Sequence, residues 1–227
     1  MQPYFVPYLG YFQLLHAVDR FVIYDDIEFS KSGWVHRNRI LVNGAPAWLT
    51  LALRHDDDHA DIRARALTGD FRARNAQLLR RVEGTYRRAP RFREAFPLVE
   101  RILGHDDANL FGFVEHAVRA VAGWLDIRTP IVRSSTLGVD RALKAQDRVL
   151  ATVAACGAST YVNPSGGVAL YDRAAFEARG VALRFLQPED IVYDQGVPFV
   201  PKLSIIDVAM HLPVDAIRAH LDRYTFA

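Results

Sequence analysis

Residues 130–186, PIVRSSTLGVDRALKAQDRVLATVAACGASTYVNPSGGVALYDRAAFEARGVALRFL, alternate short apolar runs with longer amphipathic ones. PIVRSS reads as a strand, DRALKAQDRVLATVAAC as a helix, and STYVNPSGG as a strand with its loop. ALYDRAAFEARG then reads as a helix and VALRFL as a strand. A β-α-β-α-β run with connections this short assembles through right-handed crossovers, so a parallel sheet is expected. The fold class is therefore α/β, built on a Rossmann-like, mostly parallel sheet.

Toward the N-terminus the pattern gains three features. LGYFQLLHAVD reads as a short helix, and in RFVIYDD the apolar run Phe21-Val22-Ile23-Tyr24 reads as a buried strand ended by Asp25 and Asp26. The C-terminal ends of parallel strands are where α/β sheets bind ligands, which places the two acids at a site. NRILVNGAPAWLTLAL reads as a β-hairpin, because two alternating apolar runs flank Asn43-Gly44, a pair suited to positive φ. Residues 70–87, 90–103 and 107–125 read as three helices, the first two divided by Ala89-Pro90. They form a helical insertion at about 66–126 within a single domain spanning 1–227. The tail holds the turn-rich QPEDIVYDQGVPFVPKLS and helices at about 204–211 and 213–223.

Composition narrows the function. With 50% hydrophobic and 24% charged residues, 227 residues can bury a sizeable core. No apolar run approaches the roughly 20 residues that span a bilayer, and the opening lacks the basic start and apolar stretch of a signal peptide. No membrane span and a cytoplasmic location are expected. The single cysteine, Cys156, excludes an internal disulfide framework and lies at an apolar helix end, where a thiol packs as a small hydrophobe. A formal charge of +2 gives no argument for nucleic acid. The arginines of residues 63–101 occupy the polar faces of helices, a solvated surface or a basic face for phosphates or an acidic carrier protein. GxSxG, HExxH, CxxC and P-loop patterns are all absent, which removes the common hydrolase, zincin, redox and NTPase readings. HDDDHAD at 55–61 sets His55 and His59 among aspartates, but no matching cluster stands elsewhere; a solvated acidic loop is expected, with no metal and no cofactor.

Two stretches concentrate polar chemistry. The first 39 residues hold four of the nine tyrosines, counting Tyr24, and one of only three lysines against 25 arginines. Tyr4, Tyr8 and Tyr11 fall at near-helical spacing, a pattern that serves packing and binding surfaces alike. Gln2, Asp25, Asp26, Lys31, Arg37 and Asn38 would each need a partner if buried. In SKSGWVHRNRI, the indole of Trp34 with Lys31, Arg37 and Asn38 suits stacking and hydrogen bonding to a sugar, nucleotide or carboxylate, and His36 is a candidate general base. In YVNPSGG, Pro164 stops a strand and Gly166-Gly167 lets the backbone approach something closely before a helix; Asn163 and the glycines are its polar content. This loop is expected to close the same pocket as the opening stretch.

MQPYFVPYLGYFQLLHAVDRFVIYDDIEFSKSGWVHRNRI resembles the opening of the WbqC-like protein family, with its Q-P-x-x-x-P-Y-x-G-Y-F pattern, its D-x-F-x-x-x-D-D strand and its W-x-x-R-N-x-I. The likeness continues through Trp48-Leu49-Thr50, Tyr161 to Gly167 with Tyr171, and Phe199 to Asp207, and so covers nearly the whole chain. It implies a place in bacterial O-antigen and related polysaccharide pathways and an aminoacyl (glycyl) transferase activity on an amino sugar or similar amine. The partners implied are a small-molecule amine or nucleotide-sugar substrate and an acyl carrier protein. On this reading Asp25, Asp26, Lys31 and His36 are catalytic candidates, although His36 stands where the family fixes no residue. Gln2, Tyr4, Tyr8, Tyr11, Trp34, Arg37, Asn38, Asn163, Gly166, Gly167 and Tyr171 are the substrate-binding candidates. A binding protein for nucleotide sugars or carriers is the alternative. A nucleotidyltransferase-like enzyme is another, since Tyr8 and Tyr11 stand where the histidines of an H-x-G-H helix would be; tyrosines lack that charge, so this likeness supports the sheet more than the chemistry.

Overall fold

The computed structural model describes residues 1–57 and 59–227; Asp58, within the 55–61 acidic run, lies outside the described residues. The helix expected after Tyr8 is α1 (Leu9–His16), and the apolar run before the acids is β1 (Phe21–Ile23), with Phe21 and Ile23 buried. The hairpin consists of β2 (Arg37–Val42) and β3 (Ala45–Thr50), and Asn43 and Gly44 turn it with φ of 51° and 78°, as the two-residue loop demands. Between the hairpin and the next strand the chain folds as α2 (Phe71–Tyr86), α3 (Phe92–Leu103) and α4 (Leu110–Trp124). Then follow β4 (Ile131–Arg133), α5 (Ala145–Ala155), β5 (Thr160–Pro164), α6 (Arg173–Glu177) and β6 (Ala182–Pro188). The chain finishes with α7 (Ile205–His211), α8 (Val214–Ala219) and β7 (Tyr224–Phe226).

Parallel pairing is present in two places, but β4 and β5 of the alternating run do not pair and no single Rossmann-like sheet forms among the described residues. β1 runs parallel to β4 with Phe21 opposite Ile131, and β5 runs parallel to β6 with Tyr161 opposite Leu183. The ladders are nonetheless small and separate: β1-β4, the β2-β3 hairpin, and β5-β6-β7 with β7 antiparallel. A groove of about 630 Å³ separates β1 from β5. The chain is thus mixed α/β with partly parallel sheets of two or three strands.

Local chemistry shortens several elements. β4 stops at Arg133 because the next two side chains, Ser134 and Ser135, turn back to Asp25. α5 starts late because Asp140 Oδ1 accepts the Ala142 N–H and closes a turn of its own. α6 is capped by Asp172, whose side chain accepts the Ala174 N–H, and it runs out before Gly180 at φ 70°. α8 ends at Ala219, short of the expected 223, and β7 follows beyond the expected helix.

One large core joins α1, β1, the hairpin, the helices α2, α3 and α4, and α7, with Phe5, Phe12, Phe113 and Met210 sealed from solvent. A smaller core, including Val153, Phe176 and Phe185, lies among α5, α6, β5 and β6. Among the described residues no helix is long and apolar enough to cross a membrane.

Candidate functional site

The C-terminal ends of β1 and β4 meet at the acid pair. Ser134 Oγ lies within hydrogen-bond reach of both carboxylates, 3.0 Å from Asp25 Oδ1 and 2.5 Å from Asp26 Oδ1. Ser135 donates to Asp25 twice, from its N–H at 3.0 Å and from its hydroxyl at 2.6 Å. Asp26 Oδ1 also pairs with the Arg148 guanidinium of α5 at 2.7 Å, and all three side chains are largely buried. The side-chain contacts of Asp26 fall on Oδ1, and the residue is 4% exposed.

These contacts give the two acids different characters. Burial opposes ionisation of Asp25, but the donors from Ser135 and Ser134 outweigh it and hold its pKa below the usual carboxylate value. A carboxylate so supplied with donors is a weak base and a firm structural anchor. Asp26 is oriented through Oδ1 by a hydroxyl and a guanidinium.

Tyr24 extends the site toward the second half of the chain. Its ring lies 5.6 Å from the Arg148 guanidinium carbon. Burial raises its pKa, and the field of Tyr171 adds to the rise. Tyr161 feels Tyr24 in turn, and its hydroxyl lies 3.2 Å from both Asn163 Oδ1 and the Tyr171 hydroxyl. Tyr24 and Asn163 line the same groove, whereas Tyr8, Tyr11, Asp25, Asp26, Gly166 and Gly167 do not line it. The close approach that Gly167 permits is internal: a Cβ there would stand 1.9 Å from Asn163 Nδ2. Gly166 faces open space.

The remaining candidates lie elsewhere. Tyr11 is in the core and donates to the Gln2 carbonyl at 3.1 Å, while Tyr4 packs against it with rings 5.8 Å apart. Tyr8 covers Gly10, where a Cβ would lie 2.4 Å from its ring. Asn38 is buried and donates to the Phe5 and Val6 carbonyls at 3.0 and 3.1 Å, bracing Val6 at φ 39°. Arg37 donates to the carbonyls of Ser32 and Gly33 and lies 4.4 Å over Trp48, which packs beside Trp34. Lys31 is exposed. Burial and the nearby Arg37 and Arg65 lower His36 to about 4, so it does not titrate near neutrality. No hydrogen bond or ion pair among the described residues joins Trp34, His36, Arg37 or Asn38 to the acid pair.

Sequence reasoning missed Ser134, Ser135 and Arg148. The serines carried a usable signal, since PIVRSS puts two hydroxyls at the end of a strand expected to lie parallel to RFVIYDD. Arg148 carried none among 25 arginines. Among the described residues no group of three or more His, Cys, Asp or Glu side chains is placed to hold a metal ion.

Comparison with known proteins adds lineage to this geometry. The WbqC-like protein family matches residues 2–219. "Uncharacterized protein Rv1507c" of Mycobacterium tuberculosis (strain ATCC 25618 / H37Rv) is 26% identical over 220 residues, covering 95% of this chain and 94% of that protein. No solved structure matches.

Proposed function

The chain belongs to the WbqC-like protein family, and from that premise we propose a transferase that moves an aminoacyl group, in the simplest case glycyl, onto an amino sugar or similar amine in O-antigen or related surface polysaccharide synthesis. The observation that carries the chemistry is Asp26, whose Oδ1 is fixed by Ser134 and Arg148 just beyond the end of β1. The neutral amine attacks the carbonyl carbon of an aminoacyl ester or thioester. Asp26 Oδ2 takes the N–H proton as the C–N bond forms, and the tetrahedral intermediate breaks its C–O or C–S bond to expel the alcohol or thiol, to which Asp26 returns that proton. Asp25 anchors Ser134 and Ser135. Tyr24, Tyr161, Tyr171 and Asn163 form the wall against which an acceptor sugar stacks and hydrogen-bonds. Asn38 and Arg37 already give donors to backbone carbonyls, and the reading assigns them no part in the reaction.

The test is product formation from a glycyl thioester and a panel of nucleotide-linked amino sugars, followed by mass spectrometry. Asp26→Asn should lower the rate by about 10²–10⁴-fold with the near-UV circular dichroism retained. A folded Asp26→Asn protein at full rate would exclude this assignment. The tyrosine wall also favours a second reading, a nucleotide-sugar binder without chemistry, for which calorimetry would show saturable binding and the assay no product.

A further inference from the structure

Gln13 of α1 is sealed from solvent, and its Nε2 donates to two carbonyls, those of His220 at 3.0 Å and Arg223 at 2.7 Å. Those bonds fix which end of the amide is nitrogen. Its Oε1 is therefore an acceptor, and it has no hydrogen-bond partner among the described residues. A buried carbonyl oxygen in that state is costly, so the fold calls for a donor beside it.

Gln13 lines a cavity of about 20 Å³ between α1, the segment after β6 and α7. That volume holds one water-sized group. Tyr8, Tyr193 and Phe199 bring three rings to its walls, and Tyr193 meets Phe199 edge-on with centroids 5.7 Å apart. The Tyr193 hydroxyl is already spent, donating to Asp207 Oδ1 at 2.7 Å and accepting from Gln195 at 3.2 Å. Two acids border the cavity. Glu189 is engaged by Arg223 at 3.3 Å, whereas Asp190 forms no ion pair among the described residues. Burial, then the fields of Tyr4 and Asp190, raise the pKa of Tyr8, which sets the Asp190 carboxylate near this ring and keeps the hydroxyl protonated.

We propose that this cavity is a binding site for the ammonium head of a small primary amine. Of the polar groups left unspent, Gln13 Oε1 and the Asp190 carboxylate only accept, and the Tyr8 hydroxyl can do either. An ammonium has three N–H donors and no lone pair, so it matches that lining, and the three aromatic rings favour its charge. Methyl groups on the nitrogen would remove the donors and exceed the volume. The rest of the amine lies outside, past the rim where Lys202 is exposed. Lys202 is the one cation bordering the cavity among the described residues, and its charge disfavours a diamine. Asp25 and Asp26 do not line the cavity, so the site holds an amine without activating it, and the inference stands independently of the transferase reading.

Methylammonium chloride is the probe, set against sodium chloride and tetramethylammonium chloride at equal concentration. Methylammonium should raise the thermal midpoint by about 2 °C or more, saturating below about 100 mM, and the two controls should not. Asp190→Asn, a change at an exposed residue, should weaken the apparent affinity by about tenfold or more while the midpoint without amine is retained. Equal rises with the control salts would make the effect one of ionic strength and overturn the proposal. Full affinity in Asp190→Asn overturns it, as does the lack of any response, which would leave Gln13 Oε1 to water. A response confined to Lys202→Ala also overturns it, because the lysine's own ammonium would then be the occupant.

Discussion

The Ser134 hydroxyl stands 2.5 Å from Asp26 Oδ1, and the same oxygen lies 3.0 Å from Asp25 Oδ1. One hydroxyl proton therefore serves two buried carboxylates. Ser134→Ala removes that donor and should cost about 1–3 kcal/mol in urea denaturation at neutral pH. Asp25 is held below its ordinary pKa, so its contribution to stability is present above the unfolded value and is lost as pH falls through the folded one. Without Ser134 that loss should begin at higher pH. A Ser134→Ala protein as stable as the parent across the acid range would contradict the shared-donor account.

Arg148 and Asp26 form an ion pair whose side chains are 12% and 4% exposed. Truncating one partner strands the other charge, so Arg148→Met should destabilise by about 3–5 kcal/mol. Asp26→Asn in the same protein removes the stranded charge and should recover much of that loss. The coupling energy of this double-mutant cycle is the measurement, and simple additivity of the two changes would refute the pairing.

How far the sequence reaches is visible in these same residues. β1, the Asn43-Gly44 hairpin and the helices α2, α3 and α4 are legible because period and turn chemistry are local properties of the chain. Asp25 and Asp26 at a strand end follow from the same reasoning. Their partners are not legible, since Ser134 lies 109 residues from Asp25 and Arg148 lies 122 from Asp26, and no local pattern states which strand edges meet. Tyr11 shows the converse limit. Its spacing fits a stripe of either kind, and only the packing of Phe12 and Phe21 against it makes it core. The glycines of YVNPSGG announce a close approach but not its object, which for Gly167 is the neighbouring Asn163.

A second polar cluster lies deeper, around the fully buried Asp207. Tyr86 and Tyr193 donate to its two oxygens at 2.5 and 2.7 Å, and the Tyr86 hydroxyl also accepts the Leu41 N–H at 3.1 Å. Tyr86 thus ties α2, β2 and α7 together through one oxygen. Burial and the Asp207 charge raise the pKa of both tyrosines, so they remain donors at all ordinary pH values. Tyr86→Phe orphans the Leu41 N–H and one carboxylate oxygen, at a cost of about 2–4 kcal/mol. Tyr193→Phe should cost less, about 1–2 kcal/mol, because Tyr193 is half-buried and the Gln195 amide that donates to its hydroxyl also reaches the Val200 carbonyl and Asp207 Oδ1. Denaturant midpoints that rank the two substitutions in the opposite order would show that Tyr86 is not the junction.

His36 gives the chain a specific acid sensitivity. Its Nδ1 is buried without a hydrogen-bond partner, and burial, then the charges of Arg37 and Arg65, lower its pKa from 6.5 to about 4. Between those two values the unfolded chain binds a proton that the folded chain refuses, so stability falls as pH drops from about 6.5 to about 4 and the term is flat below that. Solvent screening at a half-buried ring limits the loss to about 1–2 kcal/mol. His36→Gln has no such proton to bind, so its stability should decline less over this window than that of the parent, with the two curves parallel above pH 7. Chemical denaturation at half-unit pH steps measures the difference directly. Parallel curves throughout would mean that the folded and unfolded chains hold the His36 proton equally, and the ring would then have to be open to water.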